Sequence, residues 1–253
     1  MCQLLPGCFE RIQEGIMRYV VAASLLFSML LVFQASAEAQ PAIPLISVGI
    51  RGGVSTYAMS DMNVIINEIN DVLVAARFDE LKTFGSGPNG GGELRIRIHP
   101  HLALSATAEY LYQSASVDLE RVGEQFQRVE LHASTVPITG RVLYVVSNAK
   151  NPKLVYTMGC GVSYLWLGRL KMGVPSPYYR TADGDGIGLQ ALGGVEYFVR
   201  PWASVGGELL YRHANISELT YNDDGTPVLM SNGQKMRMDF SGICFNACIR
   251  FHL

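Results

Sequence analysis

From Leu45 onward the chain alternates apolar with small or polar residues, the period of a strand whose two faces meet different surroundings. Eight such segments can be read, roughly Leu45 to Tyr57, Gly91 to His99, Leu102 to Val117, Val129 to Val146, Lys153 to Leu170, Gly186 to Val199, Ala203 to Leu219 and Met236 to Leu253. Most are long enough to hold the roughly 9 to 11 residues that a tilted strand needs to cross a bilayer. Short connections at His99-Pro100-His101, Ser147 to Pro152 and Arg200-Pro201-Trp202 alternate with longer ones. Each short turn places a proline before the next apolar run, where a missing N–H costs nothing. This predicts an all-β, up-and-down antiparallel barrel with its short turns and both mature ends on the periplasmic side.

With a period of two, one residue of a strand assigns the facing of the rest. Leu94, Ile96 and Ile98 oppose Glu93, Arg95, Arg97 and His99; Ile243, Phe245, Ala247, Ile249, Phe251 and Leu253 oppose Cys244, Asn246, Cys248, Arg250 and His252. In the fourth segment Glu130 and His132 share one parity and Arg141 holds the other, so a bulge near Pro137 is expected. Alternation alone fits a lipocalin-like or sandwich protein as well as a membrane barrel. The aromatics separate the two. On the apolar face Tyr110, Tyr112, Tyr164, Trp166 and Tyr211 lie far from the short turns, and Tyr144, Tyr156, Tyr197 and Phe251 lie near them. The interval Tyr156 to Trp166 gives roughly 25 Å along the barrel axis, the height of the apolar band between two interfacial girdles.

The first connection differs from the others. After Ser60, a candidate N-cap, Met62, Ile65, Ile66, Ile69, Leu73 and Ala76 recur at three and four residues, predicting an amphipathic helix over Asp61 to Arg77 before a flexible stretch from Gly85 to Gly92. Its apolar face is expected to cap the barrel mouth, with burial in the outer leaflet or docking of a partner as the alternatives.

The N-terminus reads as a leader. Tyr19 to Phe33 is an unbroken apolar run, preceded by Arg18 and followed by Ala35-Ser36-Ala37, so residues 1–37 form a leader with a secretory signal, cleaved after Ala37, and residues 38–253 the barrel. Glu10 and Glu14 suit no signal n-region, which makes Met17 the better start; Leu5-Pro6-Gly7-Cys8 has too few apolar residues before it for a lipoprotein box. Loss of the leader leaves the formal charge of −2 unchanged and shows no basic face for nucleic acid. The remaining Cys160, Cys244 and Cys248 read as packing residues, since Cys244 and Cys248 lie about 13 Å apart on one extended strand, beyond disulfide reach.

The chain resembles the eight-stranded outer-membrane barrel superfamily that includes the transmembrane part of outer-membrane protein A and the porin-family β-barrel domains. The resemblance is architectural. It is carried by Ala108-Glu109-Tyr110, Val195-Glu196-Tyr197, Gly207-Glu208-Leu209, Thr135-Val136-Pro137-Ile138 and the alternating last strand. It implies insertion in the bacterial outer membrane, contact with outer-membrane lipid, and delivery by the barrel assembly machinery through the C-terminal strand. That strand ends in Leu253 with Phe251 two before it, where the family usually ends in an aromatic.

For the lumen, the inward face is expected to collect Arg51, Arg95, Arg97, Arg141, Arg212 and Arg250 against Glu93, Glu109, Glu130, Glu196 and Glu208. Eight strands leave room only for side chains, so these charges must pair as a plug. Arginine, with its planar fork of donors, suits such a plug, while Lys82, Lys150, Lys153, Lys171 and Lys235 fall in loops or turns. His132-Ala133-Ser134 resembles the His-x-Ser of lipid A deacylase barrels, with Thr135 where that family has Asn and no carboxylate assignable. Asp183-Gly184-Asp185-Gly186 lacks the later ligands of a calcium loop and reads as a flexible turn; Asn222 to Gly225 and Ser231 to Gly233 read as turns of a protruding hairpin. The expectation is a monomeric, non-enzymatic surface or envelope protein without metal or cofactor, acting on an unidentified surface ligand. A lipid A-modifying enzyme centred on His132 and Ser134, or a small porin, are the alternatives.

Overall fold

A computed structural model describes residues 45–122, 125–173 and 179–253. The leader, its cleavage site and Met17 lie outside these residues. The strands are β1 (Ile46–Thr56), β2 (Ser86–His99), β3 (Leu102–Val122), β4 (Gln125–Ser147), β5 (Leu154–Gly173), β6 (Tyr179–Arg200), β7 (Ala203–Ile216) and β10 (Gly242–His252). The two-residue strands β8 (Thr220–Tyr221) and β9 (Met238–Asp239) lie between β7 and β10. Each long strand pairs antiparallel with the next, β7 pairs with β10, and β10 pairs with β1 from Ser47↔His252 to Ser55↔Cys244. The ring closes with eight long strands, so that through the middle of the barrel each strand is paired on both sides.

The wall is uneven in height. β3 to β6 run 20 to 23 residues, while β1 and β10 run 11 each. Several expected loops are strand. β3 continues to Val122 and β4 begins at Gln125, β6 begins at Tyr179 and takes in Asp183 to Gly186, and the glycine-rich stretch up to Gly92 belongs to β2. Glycines here leave room for neighbours: a Cβ on Gly49 would stand 2.9 Å from Cγ of Arg250, and one on Gly161 2.8 Å from Cγ of Arg141.

The expected bulge near Pro137 is on the neighbouring strand. Between Ser134↔Arg169 and Val136↔Trp166 the extra residue belongs to β5, and the same extra residue appears against β6 between Leu165↔Gly186 and Gly168↔Gly184. Leu167 supplies it, with φ at 51°, and the inward parity of β5 shifts from Leu165 to Gly168 and Leu170. In β4 the parity is unbroken, with Val129, Leu131, Ala133, Thr135, Thr139, Arg141, Leu143 and Val145 all inward and buried.

The helix α1 spans Ser60–Ala75. Ser60 is its first residue and not its cap; Met59 precedes it in the left-handed region at φ 44°, without a side-chain cap. Met62, Ile66 and Leu73 are buried among side chains of the barrel mouth, Leu111 and Leu131 included. Two asparagines one heptad apart hold the returning chain against the helix. Asn63 accepts from Phe84 N at 2.7 Å and donates to its carbonyl at 2.9 Å, and Asn70 does the same with Leu81 at 2.7 and 3.0 Å. Asp61 accepts from Arg237 N at 3.1 Å and Glu68 from Ser231 Oγ at 2.6 Å, so the helix is also tied to the last hairpin. That hairpin turns at Gly225 and Gly233, with φ of 68° and 79°, which suit glycine.

Candidate functional site: a charged lumen and an outward polar face

The lumen at the height of the apolar band is filled by ion pairs. Glu109 on β3 lies against the guanidinium groups of Arg51, Arg141 (3.1 Å) and Arg212. Glu208 on β7 lies within reach of Arg51 at 3.2 Å, Arg95 at 3.8 Å, Arg141 at 3.9 Å and of Arg250. Toward the short turns, Glu93 pairs with Arg250 at 2.7 Å and Arg95 at 3.3 Å, and Glu196 pairs with both at 3.2 Å. All of these side chains are buried, so each carboxylate needs more than one guanidinium to replace its lost hydration. Gln190 accepts from Arg141 at 3.3 Å, and Ser204 hydrogen-bonds both Glu196 and His252 Nε2, the latter at 2.8 Å. Ser204, His252 and Glu196 do not form a nucleophilic triad, because hydroxyl and carboxylate both meet the same ring nitrogen. Arg97 stands at the lower rim, where Nε donates to the carbonyl of His99 at 3.2 Å.

Above these pairs the lumen changes character. Tyr57, Leu111, Leu131, Leu165, Leu170, Ile216 and Phe240 pack with Met62 and Ile66 of α1 into an apolar core, and Tyr57 meets Phe240 edge-on at 5.7 Å. The exterior changes at the same level. Below it β3, β4 and β6 turn Leu104, Tyr110, Ile138, Val142, Ile187, Leu189 and Val195 outward and exposed. Above it the outward positions are Ser114, Ser116, Asp118, Arg128, Glu130, His132 and Ser134. The girdle aromatics Tyr110, Tyr112, Tyr144, Tyr156, Tyr164, Trp166, Tyr197, Tyr211 and Phe251 are on the outer face, and Trp202 stacks on Phe251 at 6.2 Å.

Glu130 is therefore outside the lumen, contrary to its expected place in the charge network. Polarity alone points it inward, but above the upper girdle the polar side of the strand is the outer one. There it accepts from Arg128 at 3.1 Å and meets His132 Nε2 at 3.2 Å, while His132 Nδ1 is hydrogen-bonded to the Tyr112 hydroxyl at 2.8 Å. His132 and Ser134 share this face, and His132 has the carboxylate neighbour that the sequence could not assign. Both its ring nitrogens are engaged, by Tyr112 and Glu130 and not by Ser134. Lys171 is likewise on β5 and not in a loop. Of the three cysteines, Cys244 and Cys248 face the lumen, and Cys160 is exposed on the outer face.

No family model and no curated protein matches the chain. Among solved structures, Neisserial surface protein A is 14% identical, covering 82% of this chain and 97% of its own at a TM-score of 0.45. The outer membrane protein OprG from Pseudomonas aeruginosa is 13% identical over 83% of this chain and 98% of its own, with a TM-score of 0.48. The outer membrane protease OmpT from Escherichia coli is 12% identical over 85% and 98%, with a TM-score of 0.29. The closed antiparallel ring, with a charged lumen and an apolar outer band between two aromatic girdles, has the architecture of the eight-stranded outer-membrane β-barrels.

Proposed function

We propose that the chain is a non-enzymatic outer-membrane protein, a closed barrel that carries a folded crown at the cell surface and acts in envelope structure or surface interaction through that crown. The observation that supports this most is the double filling of the lumen, by arginine–glutamate pairs at membrane height and by an apolar core under α1 above it. The outer face between the girdles supports insertion by strands, and the alternating strand β10 is the segment the assembly machinery would recognise. In planar bilayers the purified protein should give at most small, irregular conductance, because the bore of eight strands is set by strand number and stagger. Steady conductance of porin size would replace this reading with transport.

A second reading is favoured by one contact. A histidine paired to a carboxylate, two residues from a serine, on the membrane-facing side above the girdle is the kind of place where a lipid A ester could be attacked. Against it stands the engagement of both nitrogens of His132. Exchange of His132 and Ser134 to alanine should leave the lipid A mass profile unchanged; disappearance of a deacylated species would make the enzyme reading correct.

A further inference from the structure

Above the upper girdle the outward-facing lysine and arginine side chains among the described residues on the barrel strands β3 to β5 are Arg128, Arg169 and Lys171, all on β4 and β5. The register places them in an ordered array. Ser134 stands directly opposite Arg169 and His132 directly opposite Lys171; on the other side of β4, Tyr112 faces Ser134 and Ser114 faces His132. Directly opposed side chains on neighbouring strands are within about 5.5 Å of each other at Cβ, close enough for one tetrahedral oxyanion to meet two or three of them. The row that holds Arg169 lies just beyond Trp166 and Tyr164, which mark where hydrocarbon gives way to headgroups.

The groups of this array are not equally occupied. Arg128 is held by Asp118 at 3.2 Å and by Glu130, and Arg169 donates to Asp183 at 3.0 Å. Lys171 has no carboxylate partner among the described residues; its ammonium stands over the ring of Tyr179, 4.0 Å from the centroid. A lysine set two rows above Trp166, flanked by an arginine, a histidine and two serine hydroxyls, is a set of donors that is continuous with the lipid-facing wall. The β1, β2, β7 and β10 side of the barrel has no such array: its outward positions are apolar up to Val54, Tyr211 and Ile243.

We infer that this face of β4 and β5 binds the phosphorylated headgroup of an outer-leaflet lipid. Lys171 and Arg169 supply the charge, Ser134 and Ser114 the neutral donors, and Tyr110, Tyr164 and Trp166 border the first part of the acyl chains. Arginine engages the phosphate through its free fork face while its other edge stays on Asp183, and Lys171 acts as a point charge with three donors. Bound lipid on this side alone would fix the orientation of the tall wall relative to its surroundings. The inference rests on insertion of the barrel in an outer membrane and is independent of whether the lumen conducts.

The test uses the full protein reconstituted in phosphatidylcholine vesicles with a small fraction of bisphosphorylated lipid A, re-extracted in neutral detergent, with retained lipid A counted per barrel by mass spectrometry. Retention should fall about fivefold for each of Arg169→Ala and Lys171→Ala, the usual weight of one cation beside an anionic lipid surface. Lys150→Ala, in the short turn between β4 and β5 at the opposite end of the barrel, should retain lipid like wild type. Lipid A stripped of its phosphates should be retained by wild type only as weakly as by the double variant. Equal retention by wild type and double variant, with both still shifting on a gel when heated, would overturn the inference. So would displacement of the lipid by millimolar inorganic phosphate, which would mark a free-anion site. Failure of wild type itself to insert in the vesicles would instead remove the outer-membrane reading on which the inference stands.

Discussion

Below the upper aromatic girdle, β3 and β4 turn Ala106, Ala108 and Ile138 outward and Glu109, Thr139 and Arg141 inward; above it the same strands, with no change of parity, turn Ser116, Arg128 and His132 outward and Ala115, Val117 and Leu131 inward. The period of two is continuous through the boundary and its chemistry reverses. The surroundings account for this. In the membrane band the outer face meets hydrocarbon, so the polar side chains go to the lumen and must satisfy one another there. Above the band the outer face meets water, so the apolar side chains go inside and build a core like that of a soluble protein, with α1 as its lid. One barrel thus holds two interiors, stabilised by different forces and open to different perturbations.

The largest difference between them should come from a charge in the lower interior. Glu109 serves three guanidinium groups, and Glu109→Ala leaves them without it, at about 3 to 5 kcal/mol for a broken buried pair. The temperature at which the compact band converts to the extended one on a detergent gel should fall accordingly. In the upper interior Phe240→Ala opens a cavity beside Tyr57, at about 3 to 5 kcal/mol in a rigid core. The crown can yield locally, so that loss should appear as faster amide exchange in α1 while the gel shift stays near its wild-type temperature. If both substitutions lowered the gel-shift temperature equally, the two interiors would be one cooperative unit.

A matched pair on the outer face sharpens the same contrast. Cys160→Arg, on the outer face midway between Tyr156 and Tyr164, should destabilise by about 2 to 4 kcal/mol in lipid. Ser116→Arg, outward above the girdle, should stay within about 0.5 kcal/mol. Urea unfolding in vesicles measures both. The smallest effect concerns pH. Hydrogen bonding from Arg169 holds the Asp183 carboxyl below the usual aspartate range, with Asn222 adding a second donor at 3.0 Å. A depressed carboxyl contributes stability above its unfolded pKa and loses it as pH falls through the folded one. The Asp183 carboxyl resonance should therefore titrate below that of an ordinary aspartate, and Arg169→Ala should return it toward that range.

This reversal also explains what the sequence made legible. Strand number, short turns and outer-face aromatics could be read because Leu94 to Ile98 or Ile243 to Phe251 obey one rule throughout, apolar outward. α1 was readable from Met62, Ile66 and Leu73, although its start is set by the backbone at Met59, which leaves no cap signature. The upper halves of β3 to β6 were not readable by the same rule. Glu130 and His132 look like lumen residues only if polar means inside; their opposite parity to Arg141 is real, because β4 runs through Pro137 without a bulge and the extra residue, Leu167, is on β5. Asp183 to Gly186 has the composition of a turn, yet Gly184 and Gly186 are needed because backbone of the β7 to β8 segment lies where a Cβ would sit, 2.3 Å from Glu218 O and 2.2 Å from Asn215 O. The sharing of Glu109 and Glu208 among several arginines depends on which strands meet across the ring, which no local pattern encodes.

The reversal itself can be measured along a single pair of strands. Single cysteines placed in turn at Ala106, Ala108, Ser114, Ser116, His132 and Ile138, in a background lacking Cys160, Cys244 and Cys248, would carry a spin label in lipid vesicles. Collision with oxygen, which partitions into lipid, is then compared with collision with a water-soluble nickel chelate. The labels at Ala106, Ala108 and Ile138 should report lipid, and those at Ser114, Ser116 and His132 should report water, with the change falling at Tyr112. Labels at Ser116 and His132 shielded from both reagents would place these residues in the lumen and contradict the account.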